Sequence, residues 1–368
     1  MYYRLTIKII WLANQFANCF NKKQKFYLIL IKKEDFKNIC RINYIKQKYN
    51  PKFDLKKGGS KEVKALLFGE ILWDIINGES YIGGAPFNLA AHLAKMGLKS
   101  TLISSVGKDD LGRRALKEAE KRAIDSTFIR THPHLPTGIV EVSLDEKGHP
   151  TYLINENVAW DNIILDQDLM DGLAKNKWEV FCFGTLAQRT KENREVLSQV
   201  ISQVHPRHIF YDVNLRQNYY EKEWIEKSLC QSSMVKLNDR EALIMSELLF
   251  DQTLKQENLA ELICQEYDLS IVCITHGKNG SSIYRNGKLE KVAGINGPVA
   301  DTVGGGDSYS AGFLFSYLCG TSIYEAAEFA EIVGNFVVSQ SGAVPEYPEW
   351  LEKEIENLKY KIKKGGQI

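Results

Sequence analysis

The sequence predicts an α/β fold: a mostly parallel central sheet with helices on both faces, and a small hairpin-bearing sheet set apart from it. Three observations predict this. From residue 63 onward, short apolar runs ending in Gly or a polar residue alternate with amphipathic helical stripes. The rhythm breaks at 137–157, where two strand-like runs flank a cluster of turn formers. A glycine triplet, Gly304, Gly305 and Gly306, opens a helix late in the chain.

The 368 residues allow one large α/β domain with additions, or two domains. With 44% apolar and 25% charged residues the composition is that of a globular protein. No apolar stretch approaches the roughly 18 residues of a membrane-spanning helix. The seven cysteines form no Cys-x-x-Cys pair, and several lie in apolar segments. They read as buried, reduced thiols of a cytoplasmic protein. The net charge of +1 hides an asymmetry, because residues 1–64 carry 16 Lys+Arg against 4 Asp+Glu. A basic arm can bind nucleic acid or a membrane surface. This one lacks helical or strand periodicity, so residues 1–62 read as a non-domain extension, such as an over-extended start would give. Neither a nucleic-acid nor a membrane partner is expected.

Residues 65–68 read as a buried strand closed by Gly69, and the stripe Phe87, Leu89, Ala90, Leu93, Ala94, Met96 as a helix stopped by Gly97. Residues 101–106 and 112–123 continue as strand and helix. The segments 138–144 and 151–155 form a hairpin around 145–150, a candidate lid that would exclude water. Strands then follow at 180–184, 208–213, 234–238 and 270–275. Helices are expected at 194–204, 224–230, 239–246 and 259–266. A second hairpin joins 281–284 to 289–292, and helices at 308–319, 323–340 and 350–364 complete the chain.

Ligands of open parallel sheets bind beyond the carboxyl ends of the strands. Polar groups recur at such ends: Asp74 after the run 66–72, Thr185, the trio Asp212, Asn214 and Arg216, then Asn238 with Glu241, and Thr275 with Gly277 and Gly280. Singly, each is an ordinary cap or turn residue. The segment Asp301-Thr-Val-Gly-Gly-Gly-Asp307 is more specific. Side-chain-free amides at a helix N-terminus hold an anion. The adjacent carboxylate of Asp307 can deprotonate an attacking hydroxyl, so the pair suits phosphoryl transfer to an alcohol. Taken alone, the stretch is equally readable as a glycine-rich turn with Asp307 as the N-cap.

These pieces, in this order, resemble the PfkB, or ribokinase-like, family of carbohydrate kinases over residues 64–350. The runs Gly83-Gly-Ala-Pro-Phe-Asn88 and 301–307 carry the likeness. The family usually has Ala where this chain has Gly305. The wording Gly69-Glu-Ile-Leu-Trp-Asp74, Val158-Ala-Trp-Asp161, Phe183-Gly-Thr-Leu-Ala-Gln-Arg189 and Asp212-Val-Asn-Leu-Arg216 looks most like bacterial fructokinases. The resemblance implies a ribokinase-like three-layer fold over 63–364, with lid elements near 70–84 and 137–160.

It further implies that Asp74, Gly83, Gly84 and Asn88 bind the sugar. Asp307 would be the catalytic base, with Gly304, Gly305 and Gly306 as the anion hole. Asn238, Thr275, Gly277, Gly280 and Gly342 would contact ATP. Glu241 would order Mg²⁺ through water, and the backbone of Asp301, Val303 and Gly342 would hold a monovalent cation, K⁺. Glu331 stands where relatives often have an adenine-contacting Asn, so that contact is not assigned. Trp160 is open to two readings, a core aromatic or a sugar-stacking lid residue.

The implied activity is an ATP-dependent sugar kinase, most like a fructokinase. The alternatives are a relative acting on ribose, 2-keto-3-deoxygluconate or a nucleoside, or a sugar-binding sensor that does not turn over. A dinucleotide-binding reading fails, because the triplet lies late in the chain and lacks G-x-G-x-x-G spacing. Open edges of the lid favour a homodimer. Removing residues 1–62 is expected to leave solubility and activity intact; loss of either on truncation overturns the reading of that segment as an extension.

Overall fold

The computed structural model describes residues 62–144 and 150–363. The extension expected at 1–62 therefore lies outside the described residues except for Glu62, and so do residues 145–149 of the turn expected at 145–150. A nine-stranded sheet has the order β13-β12-β11-β10-β9-β8-β1-β4-β5. Its strands are β1 (Lys64–Phe68), β4 (Lys99–Gly107), β5 (Ile129–His132), β8 (Val180–Gly184), β9 (His208–Asp212), β10 (Met234–Asn238), β11 (Ile271–Thr275), β12 (Ser281–Arg285) and β13 (Lys288–Val292). From β11 to β5 every pairing is parallel, while β12 and β13 close one edge as an antiparallel hairpin. The hairpin expected at 281–292 is thus present, with Asn286 and Gly287 at positive φ in its turn.

Strand side chains alternate between two separate cores, as a period of two requires. Ala65, Leu67, Val180, Cys182, Phe210 and Met234 join one; Leu66, Phe68, Phe181, Phe183, Ile209 and Val235 join the other. On the first face pack α1 (Ala85–Lys95), α2 (Asp110–Lys121), α8 (Gly305–Leu318), α9 (Ile323–Val338) and α10 (Glu349–Lys363). On the second pack α3 (Gln167–Ala174), α4 (Lys191–Val204), α5 (Lys222–Gln231), α6 (Asp239–Phe250) and α7 (Gln256–Tyr267). The result is three layers, as expected. The short elements β5 and α3 were not foreseen from the residue pattern.

A second sheet has the order β3-β2-β6-β7, from β2 (Leu72–Ile76), β3 (Glu79–Gly83), β6 (Gly138–Leu144) and β7 (Pro150–Ile154). The hairpin expected at 138–155 is its β6–β7 half. One expectation is corrected here. Asp74 does not end an apolar strand over 66–72; β1 stops at Phe68, and Asp74 lies in the middle of β2. The reason is Gly69, whose φ of +146° lets the chain leave the main sheet, and whose missing side chain makes room for Pro86 at the start of α1.

The second sheet meets the body through a buried ion pair. Arg189 donates from Nε to Asp161 Oδ1 at 2.6 Å and from Nη2 to Asp161 Oδ2 at 2.7 Å. The same Nη2 donates to the Asn155 carbonyl, just past β7, at 2.6 Å. The guanidinium lies 4.1 Å from the ring centre of Trp160 and 4.7 Å from that of Tyr219. Trp160 itself is 1% exposed among Leu72, Val140, Ile154, Val158 and Leu186. Of its two readings the core aromatic holds, because its face is already covered by Arg189.

Candidate active site

The glycine triplet is the start of α8 rather than a turn before it. Gly304 is the N-cap, with φ of +76°, and Gly305 is the first helical residue, three positions before the expected start at 308. A Cβ on Gly304 would stand 2.6 Å from the Ala343 carbonyl oxygen, so no other residue fits there. The first-turn N–H groups of a helix have no partner within it and carry its partial positive charge, so the turn is a candidate anion cradle, in which the Gly305 N–H also meets the Thr302 carbonyl at 3.3 Å. Asp307 is therefore not the N-cap. It sits inside the first turn, and its Oδ2 accepts a hydrogen bond from Asn88 Nδ2 at 2.9 Å.

Asn88 comes from α1, 219 residues away in sequence. Its helix opens at Gly84, whose φ of +106° suits glycine; a Cβ there would meet the Glu70 carbonyl oxygen at 2.4 Å. Asn88 is buried, makes no capping bond, and leaves its Oδ1 without a partner among the described residues. A buried acceptor in that state calls for a donor such as a hydroxyl. Asp74 approaches from β2, and its carboxylate occupies the space a side chain at Gly83 would fill, 2.6 Å from that Cβ position.

Burial pushes the Asp74 carboxyl up to about 6, with Arg216 opposing. Asp307 is also raised by burial, against the Asn88 hydrogen bond, Lys236 and Arg216. Glu70 is a residue the motif reading passed over. It is 3% exposed, sits at the head of α1 where its Oε1 accepts from the Ala85 N–H at 3.3 Å, and is raised by burial to about 7. Arg216 acts on Glu70, Asp74 and Asp307 alike, which puts these three carboxylates in the field of one cation.

A second layer lies beneath the cradle. Lys236 Nζ is 3.2 Å from both oxygens of Asp212, and Ser310 Oγ donates to Asp212 Oδ2 at 2.9 Å. Burial pulls the Lys236 ammonium down, but Asp212, Glu241 and Asp307 together hold it above the usual lysine range. The same Nζ would stand 3.1 Å from a Cβ on Gly306. Lys236 was also missed, although a lysine in the apolar strand Met-Val-Lys-Leu-Asn was a usable signal.

The remaining expected residues divide. Asn238 and Glu241 form a capping box at the start of α6: Asn238 Oδ1 accepts from the Glu241 N–H at 2.9 Å, and Glu241 Oε2 from the Asn238 N–H at 2.8 Å. Glu241 Oε1 accepts in addition from the Leu215 N–H at 3.0 Å. Thr275 ends β11, and Gly277 and Gly280 follow it in a short turn where both have positive φ. Asp301, Val303 and Gly342 are brought together, because the Asp301 carboxylate accepts from the Val303 N–H at 2.9 Å and the Gly342 N–H at 3.3 Å. Glu331 is buried and takes a hydrogen bond from Ser281. Among the described residues no group of three or more His, Cys, Asp or Glu could hold a metal ion. Nor is any described helix long and apolar enough to cross a membrane.

Comparison with known proteins places the fold among kinases. The profile of the pfkB family of carbohydrate kinases matches residues 48–350. An uncharacterized sugar kinase of Pyrococcus horikoshii is 28% identical over 314 residues, covering 80% of this chain and 94% of its own. Its crystal structure superposes with a TM-score of 0.68 at 25% identity, over 81% of this chain and 99% of the other. An Arabidopsis thaliana protein named "Probable fructokinase-5" is 24% identical over 307 residues, or 76% of this chain and 93% of its own. The Vibrio cholerae fructokinase, crystallised with fructose, ADP and a potassium ion, shares the fold with a TM-score of 0.68 at 20% identity, covering 81% and 99%.

At Gly305, the position where the resemblance leads one to expect Ala, the geometry favours glycine. A Cβ at Gly305 would lie 2.7 Å from Val338 Cγ1, so Val338 occupies the space that a methyl group would need. Gly305→Ala alone is expected to destabilise the fold by ~1–3 kcal/mol through overpacking. Adding Val338→Ala should recover part of that loss. Thermal or urea denaturation of the two variants checks this, and a silent single substitution would contradict it.

Proposed function

This chain belongs to the pfkB family of carbohydrate kinases, and from that premise we propose that it is an ATP-dependent fructokinase, transferring the γ-phosphoryl group of ATP to the 6-hydroxyl of D-fructose. The observation that carries the reading is the Asn88–Asp307 hydrogen bond at 2.9 Å, made in the first turn of the helix that opens with the glycine cradle. A hydroxyl held there has a base on one side and phosphoryl-binding amides on the other.

In this mechanism Asp74 and the unpartnered Oδ1 of Asn88 accept hydrogen bonds from sugar hydroxyls, and the Gly83 and Gly84 backbone lets the sugar approach closely. Ionised Asp307 takes the proton of the attacking hydroxyl. The sugar oxygen forms its bond to the γ-phosphorus as the bond to the β–γ bridging oxygen breaks, and ADP leaves. The amides at Gly304, Gly305 and Gly306 hold the migrating group, with its charge, without reorganising.

Asn238, Thr275, Gly277, Gly280 and Gly342 are assigned to the nucleotide. Mg²⁺, if bound with ATP, would supply positive charge that offsets the phosphates. Glu241 would hold it only through water, since both of its oxygens already accept backbone N–H groups. The loop closed by Asp301, Val303 and Gly342 is the proposed K⁺ site. The second sheet is the proposed lid. Its strands β3 and β7 carry the exposed Tyr81 and Leu153, which favours pairing with a second copy. The choice of fructose rests on the wording of 69–74, 158–161 and 183–189, and on relatives named as fructokinases.

A panel of sugars with ATP, scored by ADP release, tests the reading. Fructose is expected to lead by at least ~10-fold in kcat/KM. A different leading sugar overturns the substrate, and absence of turnover overturns the activity. Asp307→Asn should lower kcat by ~10²–10⁴ while leaving the fold intact; near-normal turnover would remove Asp307 from its role.

The pH dependence follows from the same carboxylates. Asp74 and Asp307 work ionised, and burial raises both, so protons return to them at higher pH than to ordinary carboxylates. The kcat/KM for sugar is therefore expected to fall as pH drops through about 6. A profile that stays flat down to about pH 4.5, the ordinary carboxylate range, contradicts this.

A further inference from the structure

We propose that His92 is a positioning residue for phosphoryl transfer, acting from α1 to hold the 342–347 segment against Gly304 and so to fix the geometry of the amide cradle. The proposal rests on the kinase reading above. His92 lies one helical turn beyond Asn88, so the two side chains leave the same face of α1. Asn88 reaches the third residue of α8. His92 reaches the segment that packs on the N-cap of the same helix. One helix face thereby holds both the base and the cradle.

The histidine is completely buried, and both ring nitrogens are used. Nε2 is 2.9 Å from the Ala343 carbonyl oxygen, and Nδ1 is 2.7 Å from the Tyr347 hydroxyl. A carbonyl oxygen can only accept, so Nε2 carries the proton. Nδ1 is then the acceptor, and the Tyr347 hydroxyl is its donor. The two rings also stack, with centroids 5.9 Å apart. Burial, with Lys95 on the same helix, lowers the imidazolium to about 4, so the neutral ring keeps this tautomer at neutral pH. The arrangement accepts a single orientation of the ring.

Ala343 has no slack on its other side. The position of a Cβ on Gly304 is 2.6 Å from the Ala343 oxygen, 2.7 Å from its Cα and 2.9 Å from its Cβ, so the two backbones are in direct contact. Gly342, one residue earlier, is tied by its N–H to Asp301. A shift of Ala343 is therefore a shift of Gly304, and the left-handed conformation of Gly304 sets where the following amides point. A hydrogen bond more than 250 residues long in sequence would be an uneconomical way merely to fill a core. An apolar ring would fill it without burying two polar nitrogens.

Three variants of the full chain test the proposal, with wild type measured in parallel. His92→Phe keeps a buried ring but removes both hydrogen bonds. His92→Gln keeps a donor able to reach the Ala343 carbonyl, and Tyr347→Phe removes only the hydroxyl. For His92→Phe, kcat is expected to fall ~10- to 100-fold with the sugar KM within about threefold, the scale of a slight misplacement of reacting groups. His92→Gln should recover most of kcat even where its Tm matches that of His92→Phe. Within 304–308, amide hydrogen exchange at Gly305 and Ser308, whose N–H groups meet the Thr302 and Gly304 carbonyls, should rise about tenfold in His92→Phe, with the central strands unchanged.

Loss of kcat that tracks Tm regardless of the donor, or unchanged exchange over 304–308, overturns the positioning role. Should His92→Phe not fold, Tyr347→Phe decides: exchange over 304–308 about threefold faster supports the role, and unchanged exchange overturns it. If wild type phosphorylates none of the sugars, the kinase reading has failed, and the exchange measurement alone decides whether His92 holds the cradle.

Discussion

The hydrogen bond between Asn88 and Asp307 is the constraint on which the rest of the site depends. It joins α1, the helix that follows β3, to the helix that opens with the glycine triplet, across most of the folded chain. Both helices bury themselves in one core on one face of the main sheet, with Phe87, Ala90 and Ala91 of α1 in the same cluster as Ala311, Phe313 and Leu314 of α8. Small residues at that contact allow close approach, and close approach lets a short amide span to the carboxylate. A hydrogen bond to a charged group contributes roughly 1.5–3 kcal/mol, and losing it would leave Asp307 buried against several like charges. The position of the base is thus a property of helix packing, not of a local loop.

Around that bond the charges are sorted into two regions. Glu70, Asp74 and Asp307 gather where hydrogen-bond donors such as hydroxyls would arrive; Arg216 offsets all three, and Lys236 offsets Asp307 as well. The helix N-terminus and Lys236 form the positive region, where an anion would sit. Asp212 sits between Lys236 and Ser310 and ties strand β9, strand β10 and helix α8 together. An exposed ion pair of this kind would contribute little, but a buried one fixes geometry because neither partner has water to turn to. The separation suits a reaction that brings a neutral polyol to a polyanion.

Much of this was legible in the sequence, and the parts that were not share a cause. Short apolar runs gave the strands, and the triplet marked the start of a helix, because both signals are local. Asp74 was found as a residue but misplaced in the fold: the run 66–72 is continuous in hydropathy, and only the conformation of Gly69 shows that the chain changes sheets there. Asn238 and Glu241 were legible as a pair, yet the same spacing encodes a capping box, and that local role is the one their side chains fill. Glu70, His92 and Lys236 were passed over because their meaning lies in partners far along the chain. The segment 167–174 carried an Asp166 cap that could have flagged its helix, but its apolar stripe is only two buried residues deep.

The three glycines of the cradle are each required by a different neighbour. Gly304 faces the Ala343 backbone and has φ of +76°, so both space and conformation exclude a side chain. Gly305 is helical in conformation and faces only Val338, a side chain that could itself change. Gly306 faces the ammonium of Lys236, whose place is set by Asp212. A substitution at the first position must move backbone, at the second only a methyl group, and at the third a buried charge. The middle glycine is therefore the one at which a side chain asks least of its surroundings, because Val338 alone would have to give way.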